Sequence, residues 1–220
     1  IIGKCAFAAK VIRAGKPFLS RLFAAARCVP FLHHRIKLSA EARLDLEWWA
    51  KCIAAHNGVK LYKPDWLGAV RYVYTNASSR GLGACLDCSE WFSLSYTGSR
   101  AWTLNNSINW HEMHVAVLAL HTWAHWLRGA SVIFHIDNMV TCYVLNSAYS
   151  QVSEFMFFVR HWFMIFECYN INIAPVYINT LDNIDADDLS RLRVDQFLSR
   201  NPTASWAMTW PNEDFMIFDY

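Results

Sequence analysis

The sequence lacks a stretch of about 20 apolar residues free of charge, the length a helix needs to cross a bilayer. Its most apolar run, FMFFVRHWFMIFECY at 155–169, is interrupted by Arg160, His161 and Glu167. That run predicts a buried helix and argues against a membrane partner. No secretory signal is expected either, because the early apolar stretch Cys5–Ala9 is short and lysines flank it. No disulfide framework is legible, because the seven cysteines are odd in number and irregularly spaced. This favours reduced thiols in an intracellular protein, cytoplasmic or nuclear. Repeats and low-complexity tracts are absent, and a hydrophobic content of 55% excludes global disorder. The first residue is Ile, not Met, which leads us to expect a piece of a longer chain.

Acidic residues are scarce at the start. Residues 1–63 hold twelve Lys/Arg against three Asp/Glu, whereas residues 64–220 hold eight against fifteen. A basic module beside an acidic one suits a protein that grips a polyanion with one part and binds cations with the other. The patterning follows the same division. Residues 1–63 read as helical. Within them KLSAEARLDLEWWAKCIAAHNG opens on a Ser39 cap with Glu41 in the first turn and ends at Asn57-Gly58. Leu44, Leu46 and Trp48-Trp49 supply its apolar face, and LYKPDWLG at 61–68 reads as a connector.

From residue 64 to 193 the order is different. RYVYTNAS, GACLDC and EWFSLSYT predict three strands, the first two joined by a turn at Ser78–Gly81. SINWHEMHVAVLALHTWAHWLRG predicts a long helix ending at Gly129. SVIFHIDN is an apolar strand of the interior kind, followed by helices in MVTCYVLNSA and SEFMFFVRHWFMIFECYN. INIAPVYI is another strand, and IDADDLSRL opens a last helix. The expected class is α/β, a mixed sheet with flanking helices, preceded by a small helical basic segment. Residues 194–220 read as an irregular tail.

Four polar residues occupy comparable places. Asn76 ends the first strand, Glu112 lies near the start of the long helix, Asp137 follows SVIFHI, and Asp187 lies in the first turn of the last helix. Strand ends and helix starts are where an α/β sheet presents its site. Carboxylates gathered there suit Mg²⁺, a hard cation that takes oxygen ligands. At 100° per residue, Ala116, Ala119 and Trp123 fall within roughly 40° of Glu112, so that face should pack on the sheet. His114, His121 and His125 cluster on the opposite side, where a solvated or partner-facing stripe is expected rather than a metal site. HEMH at 111–114 lacks the i, i+4 histidines of a zinc-protease helix.

YTNAS, the NWHE helix, HIDN and the closing N-x-x-A-D-x-L-S-R at Asn183–Arg191 together resemble the ribonuclease H domain of retroelement reverse transcriptases. Among these, the sequence resembles DIRS-type elements, which carry a tyrosine recombinase, or related LTR-like elements. GKCAFAAKVIRAGKPFLSRL and the DLEWW helix resemble the thumb and connection segment that precedes that domain, so the resemblance spans about residues 3–193. It implies a ribonuclease H-like fold. It also implies two Mg²⁺ ions, or Mn²⁺, held by four carboxylates, and hydrolysis of RNA in an RNA–DNA hybrid. The remainder of a reverse transcriptase polyprotein is a further implied partner. The second, third and fourth carboxylates fall on Glu112, Asp137 and Asp187, with Asp185 and Asp188 as competitors for the fourth. The first falls on Asn76, an amide. An amide oxygen can still ligate Mg²⁺ but brings no charge, so impaired hydrolysis is expected. A catalytically silent binding or structural module is the alternative. Asn also caps turns through its side chain, which is the bland explanation for its presence.

Other signals are weaker. Lys10, Arg13, Lys16 and Arg21 are candidates for tracking a hybrid backbone through salt-sensitive contacts. Cys85-x-x-Cys88 lacks the second pair of a zinc site and does not open a helix, so strand packing is expected. Trp102 and Trp110 are the tryptophans considered for base stacking. The family's loop histidine has no counterpart in INTLDNIDA at 178–186. His135 is expected to turn to the opposite face of its strand from Asp137, and no histidine is given a role.

Overall fold

A computed structural model describes residues 1–29, 31, 35–56, 70–97 and 105–211. The chain forms two compact units, one over residues 1–64 and one over 65–216. The connector 61–68, Asn57-Gly58 and Trp102 lie outside the described residues.

The first unit is helical. It comprises α1 (Ile2–Ala8), a 3-10 segment (Arg13–Leu19), α2 (Ser20–Arg27) and α3 (Ala40–Ala55). The Ser39 hydroxyl accepts from the Ala42 amide at 3.2 Å and caps α3 as expected. The buried stripe of α3 is Ala42, Asp45 and Trp49, while Leu44 and Leu46 are only half-buried. Trp49 explains the shift. Its indole N–H donates to the Phe18 carbonyl at 3.2 Å, and its ring fills the space that a side chain at Gly15 would need. Trp48 stacks on Phe18 with ring centroids 4.0 Å apart. Asp45 is admitted to the core because Arg21 reaches it at 3.4 Å.

The second unit is a mixed five-stranded sheet flanked by helices. Its strands are β1 (Val70–Ala77), β2 (Gly81–Leu86), β3 (Glu90–Ser95), β4 (Ser131–Ile136) and β5 (Asn172–Tyr177), in the order β3-β2-β1-β4-β5. β1, β2 and β3 pair antiparallel as a meander, whereas β4 and β5 join parallel to β1. Parallel pairing requires crossover segments. Helix α4 (Ile108–Trp123) lies in the chain between β3 and β4, and α5 (Met139–Ser147) with α6 (Ser153–Cys168) lie between β4 and β5. Pro175 is tolerated because β5 is an edge strand.

Helix α4 ends at Trp123, short of Gly129, and a succession of turns fills the interval. It is buried around nearly its whole circumference, packed with β1, β2 and α6. The expected solvated histidine stripe therefore forms only in part, at His121 and His125. His114 is buried against Trp110 and Phe158, His111 is buried beside Tyr96, and only His121 and His125 reach the surface. Trp110 is buried in the same cluster, which removes it as a stacking platform for bases. Among the described residues no helix is long and apolar enough to cross a membrane.

The other face of the sheet carries α7 (Ile184–Ser190) and α8 (Val194–Arg200) over Cys85, Trp91, Leu189 and Phe197. The segment that follows Arg193 is thus ordered rather than an irregular tail, since residues 194–200 are helical. Beyond them the Ser205 and Thr209 amides donate to the Ser89 and Trp91 carbonyls at 2.7 and 2.9 Å. This covers the exposed edge of β3.

Candidate functional site

Asn76, Glu112, Asp137 and Asp187 are far apart in sequence and come together at the end of β1 and β4. β1 runs parallel to β4, with Thr75 opposite Ile136, so Asn76 and Asp137 follow at the same level of the two neighbouring strands. Glu112 arrives on the first turns of α4. It is 2% exposed, and its Oε1 accepts from the Ala77 amide at 2.8 Å. Asp187 arrives on α7, which sits directly on β2. A Cβ at Gly83 would come within 2.2 Å of the Ser190 backbone nitrogen. Gly83 pairs with Asn76 across β1 and β2, so the absence of a side chain there is what lets α7 descend to Asn76.

The side chain of Asn76 is almost fully buried. Its amide nitrogen donates to Asp187 Oδ1 at 3.2 Å and to Ser190 Oγ at 2.9 Å. A carboxylate would have no proton for either contact, so the amide is built into the local hydrogen bonding. Ser190 Oγ in turn donates to the Asp187 carbonyl at 2.9 Å, and Ser78 Oγ donates to the Ser190 carbonyl at 2.7 Å. Asn183 fastens the start of α7 by donating to the Thr75 carbonyl at 3.0 Å. None of these three supporting residues takes a site role on sequence grounds. Short polar side chains in turns give no signal of the strand they will meet.

Burial, and secondarily the neighbouring Asp137, push the Glu112 carboxyl well above the ordinary carboxylate range. Burial raises Asp137 as well, opposed by its bond from Thr180 Oγ1 at 3.3 Å and by its contact with Glu112. Two adjacent carboxyls in a desolvated place cannot both ionise readily, and the upward shift is the larger at Glu112. Glu112 Oε2 is buried without a hydrogen-bond partner among the described residues.

Asp187 has a different environment. Arg191 Nε meets both of its oxygens, at 2.7 and 2.9 Å, and Arg193 Nη2 meets Oδ2 at 2.7 Å. Arg191 belongs to the ADDLSR motif and is legible as an i, i+4 partner. Arg193 is not, because it follows a chain reversal at Leu192, whose φ is +63°. The competing acids turn elsewhere. Asp188 is buried and paired with Arg193 and Arg200, and Asp185 pairs with Arg200 at 3.0 Å. Asp188 therefore serves an ion-pair cluster with Arg193 and Arg200.

The donor set does not fit two hard cations as it stands. The orphaned Glu112 Oε2 beside Asp137 would suit one cation. Asn76 contributes no charge and turns its N–H₂ toward Asp187, and both Asp187 oxygens are already neutralised by guanidinium groups. Among the described residues no group of three or more His, Cys, Asp or Glu side chains is gathered to hold a metal ion.

His135 lies on the face that α7 covers, with its ring stacked on Tyr74 at 4.6 Å and near Tyr72 at 6.0 Å. Tyr74 is two residues before Asn76, so His135 shares the face of the Asn76–Asp187 contact, contrary to expectation. In the first unit, Lys10 and Lys16 are exposed and Arg13 is half-buried. Arg21 is held by Asp45 and by the Glu41 carbonyl.

No protein-family model matches the sequence, and no curated protein matches it. Solved structures do. One is ribonuclease H1 from the halophilic archaeon Halobacterium salinarum, with a TM-score of 0.44 and 14% identity, covering 58% of this chain and 99% of that one. Another is a ribonuclease H1 isolated from compost by a metagenomic approach, with a TM-score of 0.42 and 17% identity, covering 59% of this chain and 96% of that one.

Proposed function

We propose that residues 64–193 are a ribonuclease H-type domain of a retroelement reverse transcriptase, and that residues 1–63 are its thumb- or connection-like segment. The domain engages RNA–DNA hybrids, and its hydrolysis of the RNA strand is impaired by Asn76. The observation that carries this reading is the convergence of Asn76, Glu112, Asp137 and Asp187 from two strands and two helices at one end of the sheet. Sequence-distant polar groups that meet at strand ends support a site there.

The impairment follows from charge. Hydrolysis of a phosphodiester by this group of enzymes depends on two divalent cations, and the first and fourth positions here are unsuited to them. Loss of a single stabilising group commonly lowers turnover by about 10²–10³. The basic segment supports a hold on nucleic acid. Lys10, Lys16 and Arg13 on the basic segment offer sequence-independent phosphate contacts. A silent hybrid-binding module is the second reading, favoured by the pairing of Asp187 with Arg191 and Arg193.

The test is cleavage of a labelled RNA–DNA hybrid, with Mg²⁺ and then Mn²⁺, by this chain and by Asn76→Asp. Cleavage only by the variant supports an intact scaffold silenced at one position. Equal cleavage by both overturns the impairment. Silence in both, with hybrid binding retained, replaces the enzyme reading with the binding module.

A further inference from the structure

A second group of reactive side chains lies on the α7 face, away from the carboxylates. Cys85 is the penultimate residue of β2, and Cys88 sits in the turn that leads to β3. The turn is held by Asp87 and Cys88, at φ +50° and +54°, and closed by the Ser89 amide donating to the Leu86 carbonyl at 3.0 Å. Both φ values are left-handed, a conformation that bulky residues seldom adopt outside a constrained turn. Asp87 is pinned there by Arg71 and by the Tyr72 amide at 2.7 Å. The turn carries Cys88 out of the ladder, so strand packing accounts for Cys85 alone.

The two thiols have opposite surroundings. Cys85 is fully buried beside Trp91, Leu189 and Phe197. Cys88 is half-buried and lines a cavity of about 250 Å³, together with Tyr74, Asn183, Asp185 and Arg200. Cys88 packs against the buried group to which Cys85 belongs, and the two neighbouring thiols shift in opposite directions, Cys88 below its ordinary range and Cys85 well above. Burial and the nearby Asp185 and Asp87 oppose the effect on Cys88 without cancelling it. A half-buried thiol at the wall of a cavity, backed by a fully buried thiol three residues away, is the arrangement a dithiol exchange pair needs.

We propose that Cys85 and Cys88 form a thiol–disulfide exchange site that takes low-molecular-weight disulfides such as oxidised glutathione in the cavity at Cys88. The Cys88 thiolate attacks one sulfur of the small disulfide. A mixed disulfide forms on Cys88, and one small thiolate leaves and takes up a proton from water. The Cys85 thiol then gives up its proton and attacks the Cys88 sulfur, releasing the second small thiol. The protein dithiol is oxidised to a Cys85–Cys88 disulfide, and one small disulfide is reduced to two thiols. Excess small thiol reverses both steps.

The test needs no nucleic acid, so its outcome is independent of the hybrid-cleavage reading. The full chain is equilibrated in glutathione buffers of increasing oxidised fraction, the remaining thiols are blocked with acid and alkylating agent, and the peptides are identified by mass. Expected are a Cys85–Cys88 cross-link in the parent chain and a glutathione adduct on Cys88 that persists in Cys85→Ser. In Cys88→Ser both the cross-link and any adduct on Cys85 should be lost. Circular dichroism of the two serine variants checks that they fold. A pair that stays reduced in the parent chain while the exposed Cys28 and Cys168 acquire glutathione overturns the proposal. So does an adduct on Cys85 in folded Cys88→Ser.

Discussion

Asn76 decides the chemistry of its surroundings through the two protons on its amide nitrogen. They bridge Asp187 and Ser190, so Asn76→Asp removes two donors and places a second carboxylate against the first. In chelator, Asn76→Asp should be less stable than the parent chain by about 1–2 kcal/mol. Mg²⁺ should restore that stability in the variant and raise the parent melting temperature by less; thermal denaturation with and without Mg²⁺ reads both. Glu112 offers a second measurement. Its carboxyl is raised in the folded protein, so the folded state binds this proton more tightly than the unfolded chain does. The corresponding contribution to stability is present below the ordinary glutamate pKa and is lost as pH rises through the folded value. Glu112→Gln keeps an oxygen for the Ala77 amide and has nothing to titrate. In chelator it should therefore be more stable than the parent near neutral pH, by on the order of 1 kcal/mol, and the gain should vanish in acid. Denaturant midpoints across the pH range check this.

At the scale of elements, the site depends on how closely α7 approaches β2. Gly83→Ala would drive a methyl into the backbone of Leu189 and Ser190, and neither can retreat as a flexible side chain would. Overpacking of this kind costs about 1–3 kcal/mol. The variant should lose stability in chemical denaturation, and the Asn76–Asp187 contact should open, seen as a change in the Asn76 side-chain amide resonances. Helix α3 is a simpler case. Ser39→Ala removes one cap and should cost about 1 kcal/mol in the same measurement. The long helix α4 shows where reading by period alone misleads. The period assigns Glu112 and the histidines to opposite faces, and that assignment holds; but α6 covers His114, so the histidine face meets water only toward His121 and His125. Periodicity reports faces, and only the neighbours decide which of them meets water.

At the scale of the whole molecule the charge division is the relevant property. The basic segment of residues 1–63 and the acidic remainder carry opposite balances. If Lys10 and Lys16 contact phosphate, hybrid binding weakens with salt, and each neutralising substitution lowers the slope of log affinity against log salt by about 0.7–0.9. Lys10→Gln with Lys16→Gln should thus flatten the slope by about one to two, measured by fluorescence anisotropy at several salt concentrations. Arg21→Gln should act differently. It breaks the pair with buried Asp45 and should lower stability more than it changes the slope.

The alternation and length of apolar runs were enough to determine the order of strands and helices in residues 70–190, because each element's pattern is local. The Ser39 cap and the strand-end positions of Asn76 and Asp137 were legible for the same reason. Tertiary structure alone decided what those residues meet. It put α7 on Gly83, brought Arg193 around to Asp187, sank His111 and His114 into the core, laid residues 205–209 along β3, and turned Cys88 into a cavity. Each of these depends on contacts between residues remote in the chain. Such contacts are set by the close packing of whole elements, which leaves no trace in the spacing of any single segment.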